Sequence, residues 1–191
     1  MSERALDTDM QSLLAEVQQL REQMQQMLDR QQILDCVIRY ARGLDRHDEE
    51  ILASVFHEDA IDHHGDFTGS IDEFVPWANA LHAENWAAHT HYMANHRVEI
   101  ENDEAQSETY VLYVLRRKDG TKIDFGGGRY IDRLERRHGE WRIVARELIH
   151  DWRAETELAS YARTGTYPQG TWDRSDPSYH RLELELPSAS A

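Results

Sequence analysis

The apolar positions of this chain change period once, and the change divides it into a helical first half and an extended second half. From about Met10 to Leu28, Leu13, Val17, Leu20, Met24 and Met27 stand alternately four and three apart among Gln and Glu, the seam of a short coiled coil. Laid over a domain instead, the same segment is a solvated helix, and a few heptads are marginal alone. The helical pattern continues through Ile33, Leu34, Val37, Ile38 and Ala41. It is expected to end near Gly43, because glycine readily takes the left-handed conformation that closes a helix. A second helix is predicted over residues 48–56, with Ile51, Leu52 and Val55 inward, followed by a short strand and turn over 59–65. Ser70 with Glu73 three residues later is the capping-box pattern, opening a helix whose apolar side is Phe74, Trp77, Ala78 and Leu81.

Beyond that helix the period falls to two. Extended segments are predicted over residues 89–102, 106–117, 121–137 and 140–153, joined by Asn102-Asp103-Glu104, Lys118-Asp119-Gly120 and His138-Gly139, each with hairpin chemistry. Gly126-Gly127-Gly128, inside the third of these, suits a bulge or a close backbone approach that bends a sheet. Helices first and a meander afterwards predict an α+β domain whose antiparallel sheet curls to make room for a ligand. The tail from Ala154 is expected to begin as a short helix, with Trp172 and Tyr179 covering a pocket mouth or a neighbouring subunit. The expected divisions are an N-terminal helical extension (1–29), the α+β domain (30–153) and a C-terminal helix and tail (154–191).

Length fits this division, since 191 residues suit one domain with an extension. A net charge of −15 argues against nucleic acid and anionic membrane, which both call for a basic footprint. No apolar run approaches the ~18 residues of a membrane span, and the polar, acidic start is unlike a signal peptide. Cys36 is the single cysteine, so no intramolecular disulfide is possible. A cytoplasmic protein acting on a small molecule or on other proteins is expected.

The candidate chemistry is histidine chemistry. His89 and His91 alternate along a strand and so share a face, with Met93 and Asn95, while Tyr92, Ala94 and His96 take the other. Asp45, just past Gly43 near a helix end, is free to turn under the fold, so Asp45 and His91 are expected to meet as an acid–base pair in which the carboxylate fixes the imidazole tautomer. On the last strand Arg146 and His150 fall on one face with Val144, Leu148 and Trp152, opposite Trp141, Ile143 and Ala145. An arginine among apolar neighbours needs an anion, so Arg146 is expected to face Asp45 or charge developing on a substrate, unless it snorkels into a surface salt bridge. A metal reading draws on Asp62, His63, His64, His89 and His91, but no further spaced ligands complete it, and no metal or cofactor is expected. No phosphate-binding loop opens a helix, and Cys36 lacks a nucleophile motif.

Taken together, Ile33-Leu34-Asp35, Arg39 to Asp45, Phe56-His57-Glu58-Asp59-Ala60, Thr90 to Asn95, Gly128 to Arg133 and Gly139 to Ile143 resemble the SnoaL-like branch of the nuclear transport factor 2-like superfamily over roughly residues 30 to 153. The dehydrochlorinases, scytalone dehydratases and diarylpropane lyases belong to that branch. The resemblance implies a cone-shaped α+β barrel with an apolar pocket, a homo-oligomer (dimer or trimer) and a small-molecule substrate. By position it assigns the catalytic pair to Asp45 and His91, with Arg146 assisting. Tyr40, Asp62, His89 and Tyr130 would line the pocket, and His64 and His150 join them as candidate substrate-binding residues. Polar Asp62 and His89 stand where a dehydrochlorinase wall is apolar, which favours an oxygen-bearing, aromatic substrate. The implied activity is a cofactor-independent lyase of dehydrating or deformylating type. A non-catalytic subunit like the small subunit of ring-hydroxylating dioxygenases, or a polyketide cyclase or isomerase, would use the same scaffold.

Overall fold

The coiled-coil-like seam and the core-facing helix are one element, α1 (Glu3–Arg46), in a computed structural model that describes residues 3–158 and 168–181. Leu13, Val17, Leu20, Met24 and Met27 are all exposed along its first part. Burial begins at Asp29, whose carboxylate accepts the Trp141 indole N–H at 2.9 Å and Arg136 Nη1 at 2.9 Å. From there Ile33, Cys36, Val37, Tyr40, Ala41 and Leu44 pack inward, while Ile38 faces solvent.

Gly43 does not end the helix. A Cβ there would stand 2.8 Å from the backbone of Leu52, so glycine lets α2 (Glu49–Ser54) cross α1 closely. Closure comes later: the His47 N–H reaches the Leu44 carbonyl at 3.1 Å and the Asp48 N–H the Gly43 carbonyl at 2.9 Å, the Schellman pattern. His47 itself takes the left-handed position, with φ 51, and Asp48 then caps α2 by accepting the Ile51 N–H at 3.1 Å.

After α2 come β1 (Phe56–His64), β2 (Phe67–Ser70), α3 (Ile71–Asn85), β3 (Trp86–Glu101), β4 (Glu104–Arg117), β5 (Lys122–Arg137) and β6 (Glu140–Glu157). The strands form one curved, unclosed sheet in the order β2-β1-β6-β5-β4-β3, antiparallel except where β1 runs parallel to β6. The Ser70–Glu73 capping interaction is present, with the Glu73 carboxylate accepting the Ser70 N–H at 3.0 Å. β6 extends through Glu157, which pairs with Lys122, so the short helix expected from Ala154 is a strand there; residues 159–167, also part of that expectation, lie outside the described residues. α1 lies along the free edge of β3: Arg30 Nη1 donates to the Val98 carbonyl and Asp45 accepts the His91 N–H, shielding an edge that would otherwise be open for pairing.

Bulges decide which side chains face the concave side. Met93 pairs with Val111 but His96 with Thr109, so three residues of β3 oppose two of β4. His96 therefore joins His89, His91 and Met93 inside, and Asn95 turns out, the reverse of a strict alternation. In β6, Ile143 pairs with Leu134 and Ala145 with Arg133, leaving Val144 extra, and this puts Trp141 and Ile143 on the same inner side as Arg146. The glycine triplet serves a second bulge at Gly127 and Gly128 and gives clearance: a Cβ on Gly126 would lie 2.3 Å from the Tyr113 hydroxyl, and one on Gly128 2.2 Å from the Ile149 carbonyl oxygen. The core beneath α1 and α3 is built from Tyr40, Phe56, Phe74, Leu134, Trp141 and Ile143.

Candidate active site

The last turn of α1 presents Asp45 to the concave face of β3. Asp45 Oδ1 accepts from His91 Nδ1 at 2.7 Å and from His89 Nδ1 at 3.1 Å, and Oδ2 accepts the His91 backbone N–H at 2.9 Å. A carboxylate only accepts, so both imidazoles carry their proton on Nδ1, leaving Nε2 of each as the basic nitrogen. Burial alone would raise the Asp45 pKa, but the donors from His89 and His91 outweigh it and lower it to about 2.

Two histidines that sequence reasoning passed over stand beside this pair. His47 Nε2 is 3.0 Å from His89 Nε2, and the His82 ring, from the last turn of α3, lies 4.4 Å from that of His89 and 5.8 Å from that of His91. Burial and the neighbouring imidazoles push His47 down to about 4 and His82 to about 2, and burial also lowers His89. All three are neutral at physiological pH. The spacing of Asp45 to His47, two residues across a helix end, was the one local signal for His47; nothing local marks His82.

The C-terminal segment folds over this cluster. Trp172 stacks on His47 at 4.0 Å and lies 5.1 Å from His89. It is anchored through Tyr179, whose hydroxyl donates to Asp48 Oδ2 at 2.6 Å, and through Arg46, which pairs with Asp176 at 3.7 Å. Both aromatics pack on their own chain, Trp172 over His47 and Tyr179 against Asp48.

The remaining candidates form a second group further along the sheet. Arg146 does not face Asp45. Its Nε and Nη2 hold Asp132 at 2.7 and 2.8 Å, because Asp132 is its register neighbour on β5, and both side chains are fully buried. The guanidinium packs against the rings of both Tyr40 and Tyr130, 3.9 and 4.2 Å from their centroids, and the two rings themselves meet edge to face. Along β5 the row of Arg146 is six residues from that of His91, on the order of 20 Å of strand, and the side chain reaches back only to the two tyrosines. Asp62, fully buried opposite Arg146 on β1, accepts from His64 Nδ1 at 3.2 Å. Among the described residues, three atoms of this group have no hydrogen-bond partner: Tyr40 Oη, Asp62 Oδ2 and Arg146 Nη1. Buried polar atoms are seldom left so, and three together mark a place for a polar ligand or water. His150 belongs to neither group; its Nε2 meets the Tyr113 hydroxyl at 2.7 Å, with the Tyr113 ring 6.4 Å from that of His91.

The alternative metal set of Asp62, His63, His64, His89 and His91 is not assembled, because His63 turns outward to Thr68 while Asp62 and His64 sit with Arg146. Among the described residues, the groupings whose ligand atoms lie within 4.8 Å of one another are His47, His82 and His89, and Asp45, His89 and His91.

A curved, unclosed sheet covered on its concave side by N-terminal helices places the protein in the nuclear transport factor 2-like class of α+β cones. Within that class the chain belongs to the SnoaL-like domain family, whose sequence model matches residues 25–147. No curated protein gives a significant sequence match. Among solved structures it is similar to the hexachlorocyclohexane dehydrochlorinase of Novosphingobium barchaimii, with 22% identity and a TM-score of 0.66 over 75% of this chain and 99% of that one. A candidate scytalone dehydratase from Novosphingobium aromaticivorans is 19% identical, with a TM-score of 0.63 over 75% of this chain and 97% of its own. A candidate aromatic ring hydroxylase from the same organism is 26% identical, with a TM-score of 0.59 over 69% and 94%. Among the described residues no helix is long and apolar enough to cross a membrane.

Proposed function

We propose that the protein is a lyase that eliminates water, or formaldehyde with water, from a hydroxylated aromatic small molecule, using His91 as the base and Asp45 as its positioning carboxylate. The observation that carries this reading is the 2.7 Å contact of Asp45 Oδ1 with His91 Nδ1, reinforced by the His91 backbone N–H on the same carboxylate. The Nδ1 contact orients the ring, the backbone N–H holds the carboxylate against it, and the low pKa of Asp45 keeps a negative charge ready to stabilise the imidazolium.

In the dehydrating form His91 Nε2 takes a proton from the carbon next to a C–OH. The C–H electron pair becomes the double bond, the C–O bond breaks, and the departing hydroxide leaves as water with the proton that His91 returns. In the deformylating form the proton comes from a hydroxymethyl O–H. The C–C bond then breaks, formaldehyde departs, and the released pair expels a neighbouring hydroxide.

Tyr40 Oη, Asp62 Oδ2 and Arg146 Nη1 supply polar contacts for the far end of the substrate, with His64 and Tyr130 beside them. Arg146 is thereby read as a residue that binds the far end of the substrate, and not as one that assists the Asp45–His91 pair at the developing charge, the role its position on the last strand implied. His89 holds Asp45, and His150 with Tyr113 flanks the approach to His91. The outer face of the sheet exposes Tyr92, Tyr110, Leu112, Val114, Ile131 and Trp152, an apolar surface that fits a homo-oligomer.

The test is a panel of hydroxylated aromatic and alicyclic compounds incubated with the purified protein and followed by mass spectrometry. Loss of water or formaldehyde that disappears in His91→Ala supports the reading. Full turnover in that variant overturns it, and inertness toward the whole panel with stable co-purification of an oxygenase subunit favours the non-catalytic reading instead.

A further inference from the structure

Three imidazoles from three separate elements converge next to the Asp45–His91 pair: His47 from the turn after α1, His82 from the end of α3 and His89 from β3. His47 Nε2 and His89 Nε2 stand 3.0 Å apart, and the ring nitrogens of all three fall within 4.8 Å. Zinc–nitrogen bonds of about 2.0–2.1 Å at tetrahedral angles set neighbouring nitrogens roughly 3.3 Å apart, close to this spacing.

Other features favour a ligand at this point. Among the described residues, His82 Nδ1 is buried with no hydrogen-bond partner. His89 donates its Nδ1–H to Asp45, which leaves Nε2 as the lone-pair nitrogen, shared here with His47 Nε2 in a 3.0 Å hydrogen bond, and reproduces the carboxylate–histidine–metal arrangement that orients metal-bound imidazoles. Trp172 covers His47 from outside.

We propose that His47, His82 and His89 form a binding site for a first-row divalent cation of the zinc class, with Asp45 orienting His89 from behind. Three imidazoles without a direct oxygen ligand suit zinc, cobalt, nickel or copper and not calcium or magnesium. The fourth position is left to water or to an oxygen of a bound molecule. The site does not rest on the lyase reading, since a cation is held here whether or not His91 takes a proton.

The test uses the full chain, stripped with chelator and checked by circular dichroism, then titrated with zinc by calorimetry and with cobalt by absorption spectroscopy. One ion per chain, with visible cobalt bands of a four-coordinate nitrogen-rich site, is expected. His47→Gln and His82→Gln should each weaken binding at least tenfold, whereas His91→Gln keeps it. No uptake by the folded protein, or unchanged binding in both the His47 and His82 variants, overturns the proposal. So does loss of binding in His91→Gln with retention in His47→Gln, which would move the ion to Asp45, His89 and His91. Substrate turnover is recorded separately, so that failure of the cation site and failure of the lyase reading are told apart.

Discussion

Arg146 and Asp132 hold each other through two hydrogen bonds of 2.7 and 2.8 Å in a place that solvent does not reach. The two-point geometry and the flanking rings of Tyr40 and Tyr130 offset the desolvation of the ions. Asp132→Asn leaves the guanidinium buried without that counter-charge, and a loss of roughly 3–5 kcal/mol is expected, read from urea unfolding. A loss below about 1 kcal/mol would mean that Asp62 substitutes as counter-ion, since one of its oxygens is free.

His91→Ala and Asp45→Asn should each lower turnover of a responsive compound by on the order of a thousandfold or more while leaving the circular dichroism spectrum unchanged, because removal of one member of a base–carboxylate pair leaves only binding and electrostatic catalysis. His89→Gln separates support from chemistry. It retains a donor toward Asp45 and is expected to lose far less activity than His91→Ala. Equal losses in the two would place the base elsewhere.

The contact of Asp45 with His91 was legible in the sequence because a period of two on a strand and a carboxylate at a helix end are local signals; the second contact, with His89, was not foreseen. The hairpins were legible for the same reason, in Gly120 and Gly139, which take positive φ at their turns. The bulge at Gly127 and Gly128 was marked by the glycine triplet, but the other two were not: a single unpaired residue in β3 reverses the side of His96, and Val144 in β6 moves Trp141 and Ile143 inward, with no local mark in either segment. Asp132 was hidden as the partner of Arg146 because register between β5 and β6 is set by packing over their whole length. Gly43 misled because close packing against Leu52, and not helix closure, is what requires glycine there.

Acid should destabilise the metal-free protein from about pH 6.5 downward. His47 and His82 have folded pKa values of about 4 and about 2, below the ordinary 6.5, so the unfolded chain binds the additional protons in this window. Their contribution is fully present above pH 6.5 and is lost as pH falls toward 4 for His47 and toward 2 for His82. Asp45 adds a second loss below about pH 4, as its folded value of about 2 is approached from the ordinary 3.8. Urea midpoints measured from pH 7 to 5 are expected to fall steadily, and His82→Gln should flatten the slope. An equal slope in wild type and variant would show that His82 does not contribute.

Leu112 and Trp152 lie on the outer face of the sheet, each more than two-fifths exposed, on β4 and β6, the strands flanking β5. If this face joins copies of the chain, Leu112→Glu with Trp152→Glu places charges in an apolar contact and gives a monomer on light scattering. The exposed seam of α1, tested by Leu20→Glu with Met24→Glu, would then leave the oligomer intact. Dissociation by the helix pair alone would assign assembly to α1.

Tyr40 offers a case in which stability and function should part. Its hydroxyl is fully buried and, among the described residues, makes no hydrogen bond of good geometry; burial first and the Tyr130 hydroxyl second raise its pKa well above the ordinary value, so it stays protonated as a donor near Arg146, Asp62 and Tyr130. An unsatisfied buried hydroxyl costs about 1–3 kcal/mol in the ligand-free protein, so Tyr40→Phe is expected to raise the unfolding free energy or leave it unchanged. The same substitution removes a contact to the oxygen-bearing end of a substrate, and KM for a hydroxylated compound should rise about tenfold or more while an analogue lacking that hydroxyl is unaffected. Stability and KM are measured on the same preparation. A variant that is destabilised, or that leaves the KM of the hydroxylated compound unchanged, would remove Tyr40 from the binding group and leave Asp62 and Arg146 to supply the polar end alone.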